Sequence, residues 1–230
     1  MDDPSLPAAE HEQALRGLAR LNRWSGSARI LWRPISCLAA SPPGRVLRLL
    51  DVACGAGDVL VGLARRASRA GVKLELHGCD VSEAALDHAR RRAAAHGLTI
   101  AFFRHNAVAA PLPGGFDVVM STLFVHHLTD EQAVGVLRAM AAAAARLVLI
   151  NDLRRCLPGL ALAHAACRLL TRSTVVHTDG PRSVARAFTV EEARRLAERA
   201  GVTGAVVRRR WPFRFLLEWA RPPGSHPKVS

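Results

Sequence analysis

The sequence predicts an alternating α/β fold with a mostly parallel sheet and helices on both faces. Three observations carry that prediction. Val46 to Val52 is an apolar run ending in a small-residue turn, Ala53-Cys54-Gly55-Ala56-Gly57, with a helix-like run from Val59 to Ala70 directly behind it. Lys73 to Cys79 is a second apolar run, ended by Asp80 and again followed by a helical pattern. The rhythm returns at Phe116 to Ser121, Glu131 to Ala145 and Leu147 to Ile150. Strands separated by helices at this spacing form parallel sheets through crossover connections.

Taken in order, residues 1–9 carry turn signals, and His11 to Asn22 places Ala14, Leu15, Leu18, Ala19 and Leu21 at a helical period. Ile30 to Ala39 predicts a second short helix, broken near Pro34, before Ser41-Pro42-Pro43-Gly44 starts the core. Leu98 to Arg104 is the third strand candidate, ending at His105-Asn106. Thr129-Asp130 is a cap for the helix after the fourth strand. Leu157 to Leu170 is apolar nearly all round, which suits a packing helix or a greasy cap over an acceptor pocket. His177 to Ser183 reads as a loop built on Asp-Gly-Pro, and Thr189-Val190-Glu191-Glu192 caps a last helix to Ala200. Val202 to Arg210 and Phe213 to Trp219 are closing strands. The organisation expected is one domain: N-terminal helices over 1–43, a ligand-binding core over 44–152, a helical cap over 153–188, and a closing helix and hairpin over 189–221.

Composition narrows the class. The 230 residues suffice for one full α/β core. No apolar run reaches the ~18 residues a membrane span needs. The polar N-terminus does not read as a secretory signal, and five cysteines without paired spacing suit free thiols in a reducing cytosol. The net charge of +13 is almost wholly arginine, spread over exposed-looking helix faces such as Arg65-Arg66-Arg69 and Arg90-Arg91-Arg92. No aromatic platform interleaves those runs, so a nucleic-acid partner is not expected.

The turn after the first strand is where chemistry is expected. A strand that feeds a helix through small residues lets a ligand approach the backbone and meet the helix's free N–H groups. Asp51 precedes the turn, and Asp80 at the tip of the second strand suits the vicinal hydroxyls of a ribose. Asp80-Val81-Ser82-Glu83 would equally cap a helix. Gly55, Asp80, Asn106, Thr122 and Asn151 all fall at the carboxyl ends of strands, where ligands of open α/β sheets bind.

On these residues the chain resembles the class I S-adenosylmethionine-dependent methyltransferases. LLDVACGAGDV, GCDVSEAALDHARRRA and FDVVMSTLFVHHLTDEQAVGVLRAM carry the likeness, which is nearest to enzymes acting on quinone, phenol or polyketide rings. The resemblance implies a Rossmann-like, doubly wound, seven-stranded sheet with an antiparallel C-terminal hairpin, N-terminal lid helices and a helical insertion after the fifth strand. It implies S-adenosyl-L-methionine as cofactor, held by Asp51, Ala53, Cys54, Gly55, Asp80, Val81, Asn106, Ala107 and Thr122. Ala53 stands where such families often have glycine, and Asn106 where an aspartate often receives the adenine amino group.

Methyl transfer needs alignment, dryness and at most one base. His126 and His127 follow the fourth strand and are the base candidates, with His126 preferred because adjacent side chains on such a turn diverge. Arg182 and Asp179, with Asn151, are the candidates for holding a phenolic or carboxylate acceptor; the same Asp-Gly-Pro stretch also suits a plain turn with a solvated arginine. Asn151-Asp152 offers too few ligands for magnesium, so no metal is expected. The function expected is methylation of an oxygen, less readily a carbon, on a hydrophobic aromatic or polyketide-like small molecule. The alternatives are an RNA methyltransferase, motivated by basicity alone, and a donor-binding protein without catalysis.

Overall fold

The computed structural model describes residues 26–40, 44–162 and 174–222. The helix expected over His11 to Asn22 lies outside them, as does most of the apolar stretch ending at Leu170. The elements are α1 (Ser27–Ala39), β1 (Leu47–Val52), α2 (Asp58–Arg69), β2 (Leu74–Asp80), α3 (Glu83–Ala95), β3 (Ala101–Arg104), β4 (Phe116–Thr122), α4 (Asp130–Ala143), β5 (Ala144–Leu153), α5 (Thr174–Arg186), α6 (Val190–Arg199), β6 (Val206–Arg210) and β7 (Arg214–Ala220). A 3₁₀ turn, Val125–His127, follows β4, and residues 157–162 are helical.

The strands form one seven-stranded sheet in the order β3-β2-β1-β4-β5-β7-β6. β1 to β5 run parallel, and β7 is antiparallel to both β5 and β6. The chain moves outward from β1 through β2 to β3, then returns to place β4 on the other side of β1. The switch point therefore lies between β1 and β4, and the crevice that opens there is at the carboxyl ends of both.

Period-two alternation sends the two sides of each strand into separate cores. Leu49, Val118, Met120, Leu147, Leu149 and Leu216 join α1, α2 and α3 on one face. Leu50, Val119, Val148, Ile150, Phe215 and Leu217 join α4 and α6 on the other. Helix starts are fixed by side chains: Thr129 and Thr189, expected as caps, form capping boxes with Gln132 and Glu192, and Ser82 Oγ accepts from the Ala85 N–H at 3.3 Å.

Two expectations are corrected. Pro34 does not break α1, which runs through it; Leu31 and Ile35 are fully buried, and that packing outweighs the backbone bond a proline forgoes. The stretch 177–183 is not a loop but lies inside α5. Pro181 and Val184 are buried there at helical spacing, with Ala187 buried just past the helix end, so packing overrides the turn preference of Asp-Gly-Pro. Boundaries also move: β5 extends to Ala144 and Leu153, β3 starts only at Ala101, and Gly201 and Gly204 with positive φ delay β6 to Val206.

Candidate active site

The turn after β1 needs left-handed backbone at Ala53 (φ 56°), Gly55 (φ 52°) and Gly57 (φ 71°). Two of these are glycine, for which that region carries no penalty, and alanine is the smallest residue that bears one. A Cβ on Gly55 would meet nothing within 4 Å, so the backbone there faces open space. A Cβ on Gly57 would stand 3.0 Å from the Ala89 Cβ, which is the close packing of α2 on α3. Gly78 on β2 matters equally: a Cβ there would lie 2.8 Å from the Cys54 Sγ. The turn can settle on β2 only because that position lacks a side chain, a requirement with no local mark in the sequence.

Carboxylates converge on this turn. Asp80 Oδ2 accepts from the Gly55 N–H at 2.9 Å, and its Oδ1 accepts from the Ser82 N–H at 2.9 Å. Asp80 thus ties β2 to the glycine turn, and Ser82, not Asp80, supplies the helix cap. Asp58, the first residue of α2, lies 3.7 Å from the Arg92 guanidinium. Asp51 is 1 % exposed, and its Oδ1 has no hydrogen-bond partner among the described residues. Burial, then the charges of Asp58 and Asp80, push its pKa well above the ordinary carboxylate value. Burial pushes the Cys54 thiol up too, so it stays a neutral packing group. A ligand with a positive charge would relieve what the protein leaves uncompensated at Asp51.

The other donor candidates line the same sheet edge. Val81 is exposed beside Asp80. Asn106 is exposed and its Oδ1 accepts from the Val108 N–H at 3.1 Å, while Ala107 is half-buried against the α4 core. His105, between β3 and Asn106, has a buried Nε2 without a partner. Thr122 and Asn151 are paired in register across β4 and β5. Thr122 Oγ1 is buried and unpartnered, and so are both amide atoms of Asn151, which is completely buried. Both amide atoms of Asn151 are thus unmet among the described residues, and the position that anchors the histidine turn is the next one along β5.

That position is Asp152. Its Oδ1 lies 2.6 Å from His126 Nδ1, and its Oδ2 accepts from the backbone N–H of Val125 at 2.7 Å and of His126 at 3.3 Å. Both side chains are buried. Burial alone would raise the Asp152 pKa; the His126 charge, its hydrogen bond and the backbone donors outweigh it and hold the carboxyl below its ordinary range. The pair fixes the imidazole by Nδ1 and leaves Nε2 as the ring nitrogen for other work. His127 is exposed, its ring centroid 4.1 Å from that of His126. The turn that bears them starts after Leu123, held at φ 56°.

Arg214 at the start of β7 was not anticipated. It is 3 % exposed, its Nη1 donates to Ser27 Oγ at 2.7 Å, and it feels the charges of Asp152 and Asp58. Burial lowers its pKa to about 10 against those two attractions. One buried cation thus joins α1 to the donor side and to the His126–Asp152 pair. No local motif marks it, because its partners come from the opposite end of the chain. Of the acceptor candidates, Arg182 is exposed on α5, a helix that packs against the Val125–His127 turn, and the Asp179 side chain lies outside the described residues.

Comparison with known proteins now adds to this geometry. Residues 49–146 match the model of a methyltransferase domain. A demethylmenaquinone methyltransferase of Thermus thermophilus is 38 % identical over 106 residues, 45 % of this chain and 46 % of that protein. The chain spans about half the length of the curated relatives it matches. Among solved structures, the S-adenosylmethionine-dependent methyltransferase SibL in its apo form superposes with a TM-score of 0.70 at 20 % identity, over 96 % of this chain and 60 % of that one. An O-methyltransferase from neocarzinostatin biosynthesis, in complex with S-adenosylmethionine and 2-hydroxy-5-methyl naphthoic acid, superposes with a TM-score of 0.54 at 21 % identity, over 74 % and 47 % of the two chains. The solved structures share the fold, and the matched segment runs from β1 into β5, across the glycine turn and the histidine turn. Residues 49–146 are thus similar to a methyltransferase domain, and they sit in a sheet whose fold is shared with solved S-adenosylmethionine-dependent methyltransferases.

Proposed function

We propose that this chain moves a methyl group from S-adenosylmethionine to an oxygen of a hydrophobic aromatic or polyketide-like small molecule. The observation that carries the reading is the pairing, on one sheet edge, of a cation-seeking carboxylate cluster with a histidine pinned by a buried aspartate. Asp51, with its unpartnered oxygen, suits the ammonium of the donor; Asp80 suits the ribose diol, since a carboxylate already accepting two bonds has further lone pairs. Gly55 gives the clearance a nucleoside needs, and Val81 and Asn106 flank the place for its base. When bound, the donor supplies a methyl group activated on a positively charged sulfur.

His126 is the base in this reading. Asp152 holds Nδ1, so Nε2 takes the proton from the acceptor hydroxyl and the imidazolium that results is stabilised by the carboxylate. Arg182, on the helix beside that turn, and Asp179 remain the candidates for steering the acceptor. A fused-ring acceptor is favoured by the company the chain keeps: one relative is named for a quinone, and one structural neighbour was crystallised with a naphthoic acid.

The test is a transfer assay with deuterated-methyl donor against phenols, quinones and total RNA, read by mass spectrometry. A labelled phenol or hydroxyquinone is the expected product. His126→Gln is expected to lower turnover about 100-fold or more while leaving donor affinity within a factor of two. Labelled RNA alone, or full turnover in His126→Gln, would sink the assignment.

A further inference from the structure

A cleft of about 530 Å³ lies at the sheet edge, lined by Arg154, Arg155, Thr189, Arg194 and Arg209 among others. None of its residues belongs to the glycine turn or to the His126–Asp152 pair. We propose that this cleft is a binding site for a phosphoryl group, separate from the methyl-transfer site.

The argument is one of charge, concavity and unmet hydrogen bonding. Separate elements deliver the guanidinium groups: the segment after β5 (Arg154, Arg155), α6 (Arg194) and β6 (Arg209). Two are matched by carboxylates, since Arg155 pairs with Glu192, and Arg194 with Glu191 at 3.1 Å. Arg154 and Arg209 have no carboxylate partner among the described residues. Arg154 lies with its guanidinium 5.9 Å from the Phe213 ring centroid, yet its Nε is buried without any acceptor. A buried donor is left in that state in few places, and the half-buried Arg154 side chain lines the cleft, so its guanidinium has hydrogen-bonding capacity that the described residues do not use.

The amino end of α6 opens onto the same cleft. Its capping box provides an acceptor for the Glu192 N–H, while Val190 and Glu191, in the first turn, also line the cleft. First-turn N–H groups and the positive end of the helix dipole favour an anion there. Arginine forks bind the oxygens of a phosphoryl group in pairs, and several forks around one cleft suit a group with three or more such oxygens. The chain's net charge of +13 raises the local concentration of such ligands.

The phosphoryl group could belong to a soluble phosphate ester or to a lipid headgroup, and two arms distinguish these. The full chain is titrated calorimetrically with inorganic phosphate and pyrophosphate at constant ionic strength, and is separately sedimented with phosphatidylcholine vesicles with or without phosphatidic acid. Expected is saturable one-to-one binding of pyrophosphate, or sedimentation that requires phosphatidic acid. In either arm Arg154→Gln with Arg209→Gln weakens the interaction at least tenfold. S-adenosylmethionine affinity, measured in parallel, stays unchanged, so a failure here is distinct from a failure of the methyl-transfer reading. Arg209→Gln alone, on an exposed strand position, serves if the double variant does not fold, and is expected to weaken binding several-fold. No saturation up to the order of 10 mM in either arm, or binding indifferent to these substitutions (an adventitious ion only), would overturn the proposal.

Discussion

The two halves of the site solve opposite electrostatic problems. Around the glycine turn, Asp51, Asp58 and Asp80 crowd together with like charge, and the buried Asp51 is left with an oxygen that has no hydrogen-bond partner among the described residues. Around the histidine turn, burial is just as deep, but every charge has its opposite: Asp152 accepts from His126 and from backbone N–H groups, and Arg214 stands within reach of its field. In the proposed reading, the first region is completed by the positive charge of the methyl donor. The second is complete in itself and holds a fixed imidazole ready. Two buried acidic positions at the carboxyl ends of one sheet, Asp51 and Asp152, thus contribute to stability with opposite sign.

The comparison breaks most visibly at Asp152. Asp152→Ala strands a buried imidazole and several backbone donors, and is expected to cost about 3–5 kcal/mol in urea unfolding at neutral pH. A loss below ~1 kcal/mol would mean that the pair is not holding the turn. The next largest effect is at Asp51. Asp51→Asn is expected to weaken S-adenosylmethionine binding about 10- to 100-fold while raising the melting temperature of the ligand-free protein. An unchanged affinity would remove Asp51 from the donor site.

The sign of the pH dependence sharpens the contrast. Asp51 has a raised pKa, so above 3.8 the unfolded chain ionises there first, and the ligand-free fold loses stability as pH rises through the raised value. The advantage of Asp51→Asn should therefore grow from pH 4 towards neutrality. Asp152 has a lowered pKa, so its contribution is present above the ordinary value of 3.8 and lost as pH falls through the folded value. The deficit of Asp152→Ala should therefore shrink in acid. Parallel curves for the two variants would contradict the distinction. The smallest effect is expected at Ala53, where Ala53→Gly releases left-handed strain but adds chain entropy, changing stability by no more than ~1 kcal/mol. Donor affinity should hold within a factor of three, as judged by calorimetry.

The glycine turn was legible because its demands are local. Asp51, Gly55 and Gly57 lie within a few residues of each other, and Asp80 follows after one strand and one helix, so spacing along the chain stands in for spacing in space. The strand rhythm and the capping boxes at Thr129 and Thr189 were legible for the same reason, since a cap and its helix are neighbours. The loop read over 177–183 failed because turn propensity is a weak preference that the burial of Pro181, Val184 and Ala187 outweighs.

What the sequence determined by itself was the order of the elements, the face each side chain takes and the backbone of the turn after β1. Hydrophobic periodicity and short-range sterics act over a few residues, and they are written there directly. The tertiary structure decided that Asp152 meets His126, that Arg214 reaches Ser27, and that Gly78 must stay bare beneath Cys54. Each of those depends on which strands become neighbours across the switch between β1 and β4 and on the reversal of β7. Register sets them, and register is a property of the assembled sheet.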